Sequence, residues 1–70
     1  MKYRVYRKFK ISGRVEVLRT KCSNYWVSKQ FLEIYPERVW QFSQQGAKEI
    51  VERSNRTTRN YEYWMEPVEK

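Results

Sequence analysis

The sequence predicts an α+β fold: a small antiparallel β-sheet, built from an N-terminal hairpin and two or three further strands, with one α-helix packed on one face. Three observations lead there. From Lys2 to Lys10 apolar and polar residues alternate with period two, the pattern of a half-buried strand. Ser12-Gly13 then punctuates the chain before a second β-rich run, Val15-Glu16-Val17-Leu18. Further on, Ala47, Ile50, Val51 and Ser54 recur at i, i+3, i+4 and i+7, the stripe of an amphipathic helix.

In the first strand Tyr3, Val5, Arg7 and Phe9 point one way, and Lys2, Arg4, Tyr6, Lys8 and Lys10 the other. Parity selects the turn. A two-residue Ser12-Gly13 loop would place Val15 and Val17 on the basic face. A three-residue loop, Ile11-Ser12-Gly13, pairs Phe9 with Val15 and Arg7 with Val17 and so keeps one face apolar. It also sets Gly13 at the left-handed position such loops need. The three-residue loop is therefore expected, with Arg14, Glu16 and Leu18 joining the outer face. Arg19 and Lys21 fall on the inner side near the open end, where long side chains reach water.

Residues 22–42 carry two readings. Gln30 to Tyr35 is β-compatible through Phe31, Leu32, Ile34 and Tyr35, but it also suits a short helix capped by Ser28 and stopped before Pro36. The balance favours strands, with turns at Ser23-Asn24 and Tyr35-Pro36-Glu37-Arg38 and a short strand at Val39-Trp40-Gln41-Phe42. Ser43 is a good N-cap for a helix running to about Ser54, stopped near Asn55. Gly46 in its first turn suggests a close contact. Tyr61 to Met65 reads as a final strand ended by Pro67, and residues 68–70 as a frayed tail. One helix covers one side of such a sheet, so some aromatics are expected to stay exposed.

Residues 1–70 make a single small basic domain, and a chain of this size buries only about 60–65% of the surface its unfolded form exposes. Cys22 is the lone cysteine and there is no histidine, so neither an intramolecular disulfide nor a zinc quartet is expected. The six Tyr, three Trp and three Phe are the natural source of the core. No run approaches the roughly 18 apolar residues of a membrane span, and Met1-Lys2-Tyr3-Arg4 leads into no apolar signal stretch. With a lone cysteine, the expectation is a cytoplasmic protein without membrane contact. Asn55-Arg56-Thr57 matches a glycosylation sequon, which carries no weight without a secretory signal.

The formal net charge is +7, and its placement says more than its size. Residues 1–21 hold eight Lys and Arg against Glu16 alone, while residues 22–70 hold seven basic residues against seven glutamates. A field this local steers polyanions, or an acidic protein face, toward one side of the molecule. Solubility alone needs no such segregation.

Catalysis finds little support. Without His or Asp the usual general bases and triads are missing. Cys22 has only Lys21 beside it and reads as a small hydrophobe. No Gly-rich phosphate loop is present. The expectation is a non-enzymatic protein without cofactor or small-molecule substrate.

The strongest binding candidate is the strand face Lys2, Arg4, Tyr6, Lys8 and Lys10, with Arg14 beside it. Alternate residues step by about 6.6 Å, a spacing compatible with successive phosphates, and Tyr6 sits where a base can stack on it. A two-stranded ribbon also fits a DNA major groove. Charged strand faces equally occur as solvated edges that resist aggregation. Arg53, Arg56 and Arg59 form a second element suited to phosphate or carboxylate, although cations at a helix C-terminus also complement its dipole. Of the aromatics, Trp64 between Glu62 and Glu66 is the one expected at the surface.

Two functions follow as expectations. One is a nucleic-acid-binding protein, for DNA or RNA, working through the hairpin. The other is a small inhibitor or accessory factor, of the kind mobile elements use, that docks its basic and aromatic face on a host protein or nucleoprotein complex. A structural role through self-association at a sheet edge is a third possibility.

Overall fold

A computed structural model describes residues 1–21 and 24–68. Cys22 and the expected turn at Ser23, like Glu69 and Lys70 of the tail, lie outside the described residues. The elements run β1 (Lys2–Phe9), β2 (Val15–Leu18), β3 (Trp26–Ser28), α1 (Lys29–Ile34), a 3-10 turn (Pro36–Arg38), β4 (Phe42–Ser43), α2 (Gln44–Thr57) and β5 (Tyr61–Pro67). The fold is α+β, as the sequence predicts. No described helix is long and apolar enough to cross a membrane.

β1 is the centre of an antiparallel sheet. β5 pairs with it from Tyr3↔Pro67 to Phe9↔Tyr61. The opposite edge is shared: β2 takes Tyr6 to Lys8, and β4 takes Lys2 and Tyr3. β3 continues the sheet beyond β2 through Val17↔Val27 and Leu18↔Trp26. Val68, expected to fray, donates its N–H to the Lys2 carbonyl at 2.8 Å.

The hairpin turn differs from the expected three-residue loop. The register is Tyr6↔Val17 and Lys8↔Val15, and Phe9 N–H donates to the Arg14 carbonyl at 2.9 Å. The loop therefore has four residues, 10–13, closed by Gly13 N–H on the Phe9 carbonyl at 2.7 Å. Gly13 has φ of +76°, the left-handed conformation expected of it. The three-residue loop suits a sheet with one buried face. Both faces of this sheet are covered, so Val15 and Val17 lie beside Tyr6 with apolar cover of their own.

That cover is α1, a helix where the sequence balance favours strands. Ser28 ends β3 and caps α1, its Oγ accepting from Phe31 N–H at 3.1 Å, and Pro36 follows the helix end. Cap and proline together outweigh the β-propensity of Phe31 and Ile34. Leu32 and Val39 are buried with Tyr6 and Val17. Only Phe42 and Ser43 of the expected strand at 39–42 and its neighbour join the sheet, since Val39 is drawn into this second core instead.

On the other face α2 packs Ala47 and Ile50 against Val5, Leu18 and Phe42. Val5, Leu18 and Ala47 are fully buried, and the stripe read from the sequence is the packed face. Ser43 caps α2 by accepting from Gly46 N–H at 3.2 Å. A Cβ on Gly46 would stand 3.2 Å from that same hydroxyl, which is the close contact the glycine serves. α2 runs past the expected stop to Thr57, because Asn55 is engaged with β5 rather than ending the helix. Its amide donates to the Tyr63 carbonyl at 3.1 Å and accepts from Tyr63 N–H at 3.0 Å.

Candidate functional site

The strand face singled out from sequence exists but is interrupted. Lys2, Arg4, Tyr6 and Lys8 do share one side of β1, whose middle α1 covers, while Lys10 lies beyond the strand in the turn. Tyr6 is only 8% exposed, so it is not a surface platform. Trp64, expected outside, is half-buried and stacks on Tyr6 with ring centroids 5.7 Å apart. Trp64 Nε1 donates to Glu66 Oε2 at 2.8 Å. Burial pushes the Tyr6 phenol above its ordinary pKa; Glu66 pushes the same way and Arg4 opposes.

Arg4 is half-buried. Its Nη2 makes a long 3.5 Å contact with the Pro36 carbonyl, and its Nε is buried without a hydrogen-bond partner. The exposed cations are thus parted into Lys2 at one end and Lys8 with Lys10 at the other. Lys8 and Lys10 border a shallow depression of about 420 Å³ with Asn55, Thr58, Tyr61 and Glu62. Arg14 is exposed and lies 3.7 Å from Glu16.

Arg7 is the hairpin cation taken up by structure. On the α2 side its guanidinium pairs with Glu16 at 2.7 Å and lies 4.5 Å from the Trp26 ring centre and 4.2 Å from that of Tyr61. Arg53, Arg56 and Arg59 are all exposed. Arg53 borders a depression of about 430 Å³ that also includes Arg7 and Trp26.

A larger open concavity, about 670 Å³, lies around the end of β2 and the 3-10 turn. Lys2, Arg19, Lys21 and Arg38 line it with the rings of Tyr25 and Trp40, and among the described residues Glu37 is its only carboxylate. Arg19 organises the wall through its backbone. Its N–H donates to the Tyr25 carbonyl at 2.9 Å, and its carbonyl accepts from Trp40 N–H at 2.8 Å. Tyr25 and Trp40 remain 48% and 46% exposed.

Cations lie over these rings. The Arg19 guanidinium is 5.2 Å from the Tyr25 centroid and 5.0 Å from that of Phe31, and its Nη1 donates to the Tyr25 hydroxyl at 3.0 Å. Lys21 Nζ is 5.3 Å from the Trp40 centroid. Among the described residues, Lys2, Lys21 and Arg38 form no ion pair; the pairs present join Arg7 and Arg14 to Glu16. Four cations facing one carboxylate make a strongly positive concavity with apolar floor patches, a setting for an anion that also carries flat apolar groups.

The sequence singles out Lys2 only as part of the strand face, and it does not point to this concavity or to Arg19, Lys21, Tyr25, Arg38 and Trp40 as a group. The one available signal was Arg19 and Lys21, two residues apart at the exit of a strand and therefore on one side of it. No family model, curated protein or solved structure matches this chain.

Proposed function

We propose that this chain is a small, non-enzymatic nucleic-acid-binding protein, and that the concavity between Arg19 and Trp40 is its main contact surface rather than the hairpin face. The observation that carries the reading is the grouping of Lys2, Arg19, Lys21 and Arg38 with two half-exposed aromatic rings around one concavity. Backbone phosphates call for the cations, and bases or sugars for the rings. Lys8, Lys10, Arg53, Arg56 and Arg59 add long-range attraction from the rest of the surface.

The test is a salt titration of binding to DNA and RNA beside a Lys2→Glu/Lys21→Glu/Arg38→Glu variant. Each phosphate contact on a duplex contributes roughly 0.9 to the slope of log affinity against log salt, and on a single strand about 0.7. The variant should bind more weakly with a slope reduced by roughly 2–3, the share of three lost contacts. Affinity that stays flat between low and moderate salt would sink the reading.

One observation favours docking on an acidic protein surface instead. Ile34 and Tyr35, at the end of α1, are 58% and 41% exposed, and protein interfaces are enriched in aromatics and Arg. Under that reading Ile34→Ala and Tyr35→Ala weaken capture of one stable acidic partner, and free nucleic acid is not bound.

A further inference from the structure

Resting on the nucleic-acid reading above, we infer that the strand this concavity takes is single, with a base stacked on Trp40 in the place where the Lys21 ammonium now lies.

The elements that read a duplex are occupied. A two-stranded ribbon enters a major groove about 12 Å wide only when its edges are free. Here β1 is paired along both edges, and β3 closes the outer edge of β2. α1 and α2 then cover opposite faces of the sheet. The exposed side of α2 interleaves Lys48 and Arg53 with Glu49 and Glu52, and carboxylates at those positions repel a duplex backbone.

The concavity has what a single strand requires. Bases in a duplex are already stacked on one another, whereas those of a single strand are free to meet an aromatic ring. Trp40 and Tyr25 are each about half exposed, and both are fixed through hydrogen bonds to the Arg19 backbone, so a base finds the platform already built. The Lys21 ammonium over Trp40 and the Arg19 guanidinium over Tyr25 hold the ring faces until a base arrives. Displaced from the ring, the Lys21 ammonium meets the phosphate next to that base.

The experiment is a fluorescence titration of the full chain at low salt with oligo-dT, with oligo-U and with a mixed-sequence duplex, each about 10 nucleotides long, a site size typical of one small domain. It is run on the wild type, Trp40→Ala and Trp40→Phe. Both single strands should bind more tightly than the duplex, and Trp40→Ala should weaken oligo-dT roughly tenfold or more, the loss expected for one stacked base. Trp40→Phe should retain most of the affinity while losing much of the tryptophan quenching. Should circular dichroism show Trp40→Ala unfolded, Tyr25→Ala replaces it with the same expected direction. A duplex bound as tightly as oligo-dT, or single-strand affinity unchanged in the alanine variants, overturns the inference and leaves salt-dependent polyanion binding intact. No binding of any strand at low salt removes the proposed function itself.

Discussion

Tyr6 and Trp64 lie as cross-strand neighbours on β1 and β5 with their ring planes only 11° apart. The stack joins the sheet to the second core, where Val17, Leu32 and Val39 pack around Tyr6. A strand residue whose neighbours on the same face are Arg4 and Lys8 thus anchors the α1 layer. Tyr6→Ala removes the ring from both partners and should cost about 3 kcal/mol, as truncations of large buried rings do. In a domain whose whole stability is on the order of 5 kcal/mol, that leaves a large unfolded fraction. Urea unfolding followed by Trp fluorescence measures it. A loss below about 1 kcal/mol would show that α1 is held without the stack.

The same residue predicts a pH dependence. The Tyr6 phenol titrates above its ordinary pKa of 10.0 in the fold because burial disfavours the phenolate, with Glu66 adding to it. A raised pKa means the folded state holds its proton more tightly than the unfolded chain. Its contribution is therefore fully present below the unfolded pKa and is lost as pH rises through the folded one. The difference in stability between wild type and Tyr6→Phe should stay constant up to about pH 9.5 and shift toward the phenylalanine variant above about pH 10, bounds set by the ordinary tyrosine pKa. Thermal unfolding of both proteins across that range checks the sign.

How much of this was legible follows from which facts are local. The period-two runs of β1 and β2, the Ser43 cap and the Ala47–Ile50–Val51 stripe are carried by neighbours in sequence, and each forms as read. Gly13 is left-handed as expected, yet the loop is one residue longer than the parity argument required. Parity depends on how many faces are buried, and that is settled by α1, a segment with strand propensity and helix punctuation at once. The candidate site suffered from the same cause. Arg4 and Tyr6 were placed on an open face that Leu32 and Val39 cover, while Arg19, Tyr25 and Trp40 come from three separate segments joined by two backbone hydrogen bonds.

Arg7 and Glu16 form a polar contact within the sheet. They are cross-strand partners on the α2 side, 2.7 Å apart, with side chains 19% and 16% exposed. Partial burial makes such a charge-assisted bond worth more than a surface pair, although solvent still screens it. Glu16→Gln should destabilise by about 1–2 kcal/mol, and Arg7→Ala by somewhat more because the packing on Trp26 and Tyr61 goes with the charge. A double-mutant cycle isolates the pair, and a coupling near zero would assign the whole effect of Arg7 to its stacking.

Gly13 supplies a test of the four-residue turn. An added Cβ meets nothing within 4 Å, so sterics with neighbours play no part and the cost of Ala is that of φ +76° alone. Gly13→Ala should destabilise by about 1–2 kcal/mol, whereas Gly13→Asn, which tolerates the left-handed region, should cost less than Ala. Equal stability of all three would mean that the loop opens at small cost.

Asn55 closes the outer edge of β5. Tyr63 pairs with Arg7 across β1, while its own N–H and carbonyl turn outward to the Asn55 amide at 3.0 and 3.1 Å. The side chain thus gives one residue of an edge strand the two hydrogen bonds a neighbouring strand would give. Such edges are where sheets add further chains. Asn55→Ala leaves both Tyr63 groups without that partner and should cost about 1–2 kcal/mol. It should also raise self-association, read as a concentration-dependent sedimentation coefficient in the variant at concentrations where the wild type shows less. Asn55→Asp retains an acceptor for Tyr63 N–H but sets a carboxylate against its carbonyl, so it should be as destabilising as Ala while the added charge keeps the edges apart. A variant that loses stability yet sediments as the wild type does would show that the rest of the β5 edge is guarded without Asn55.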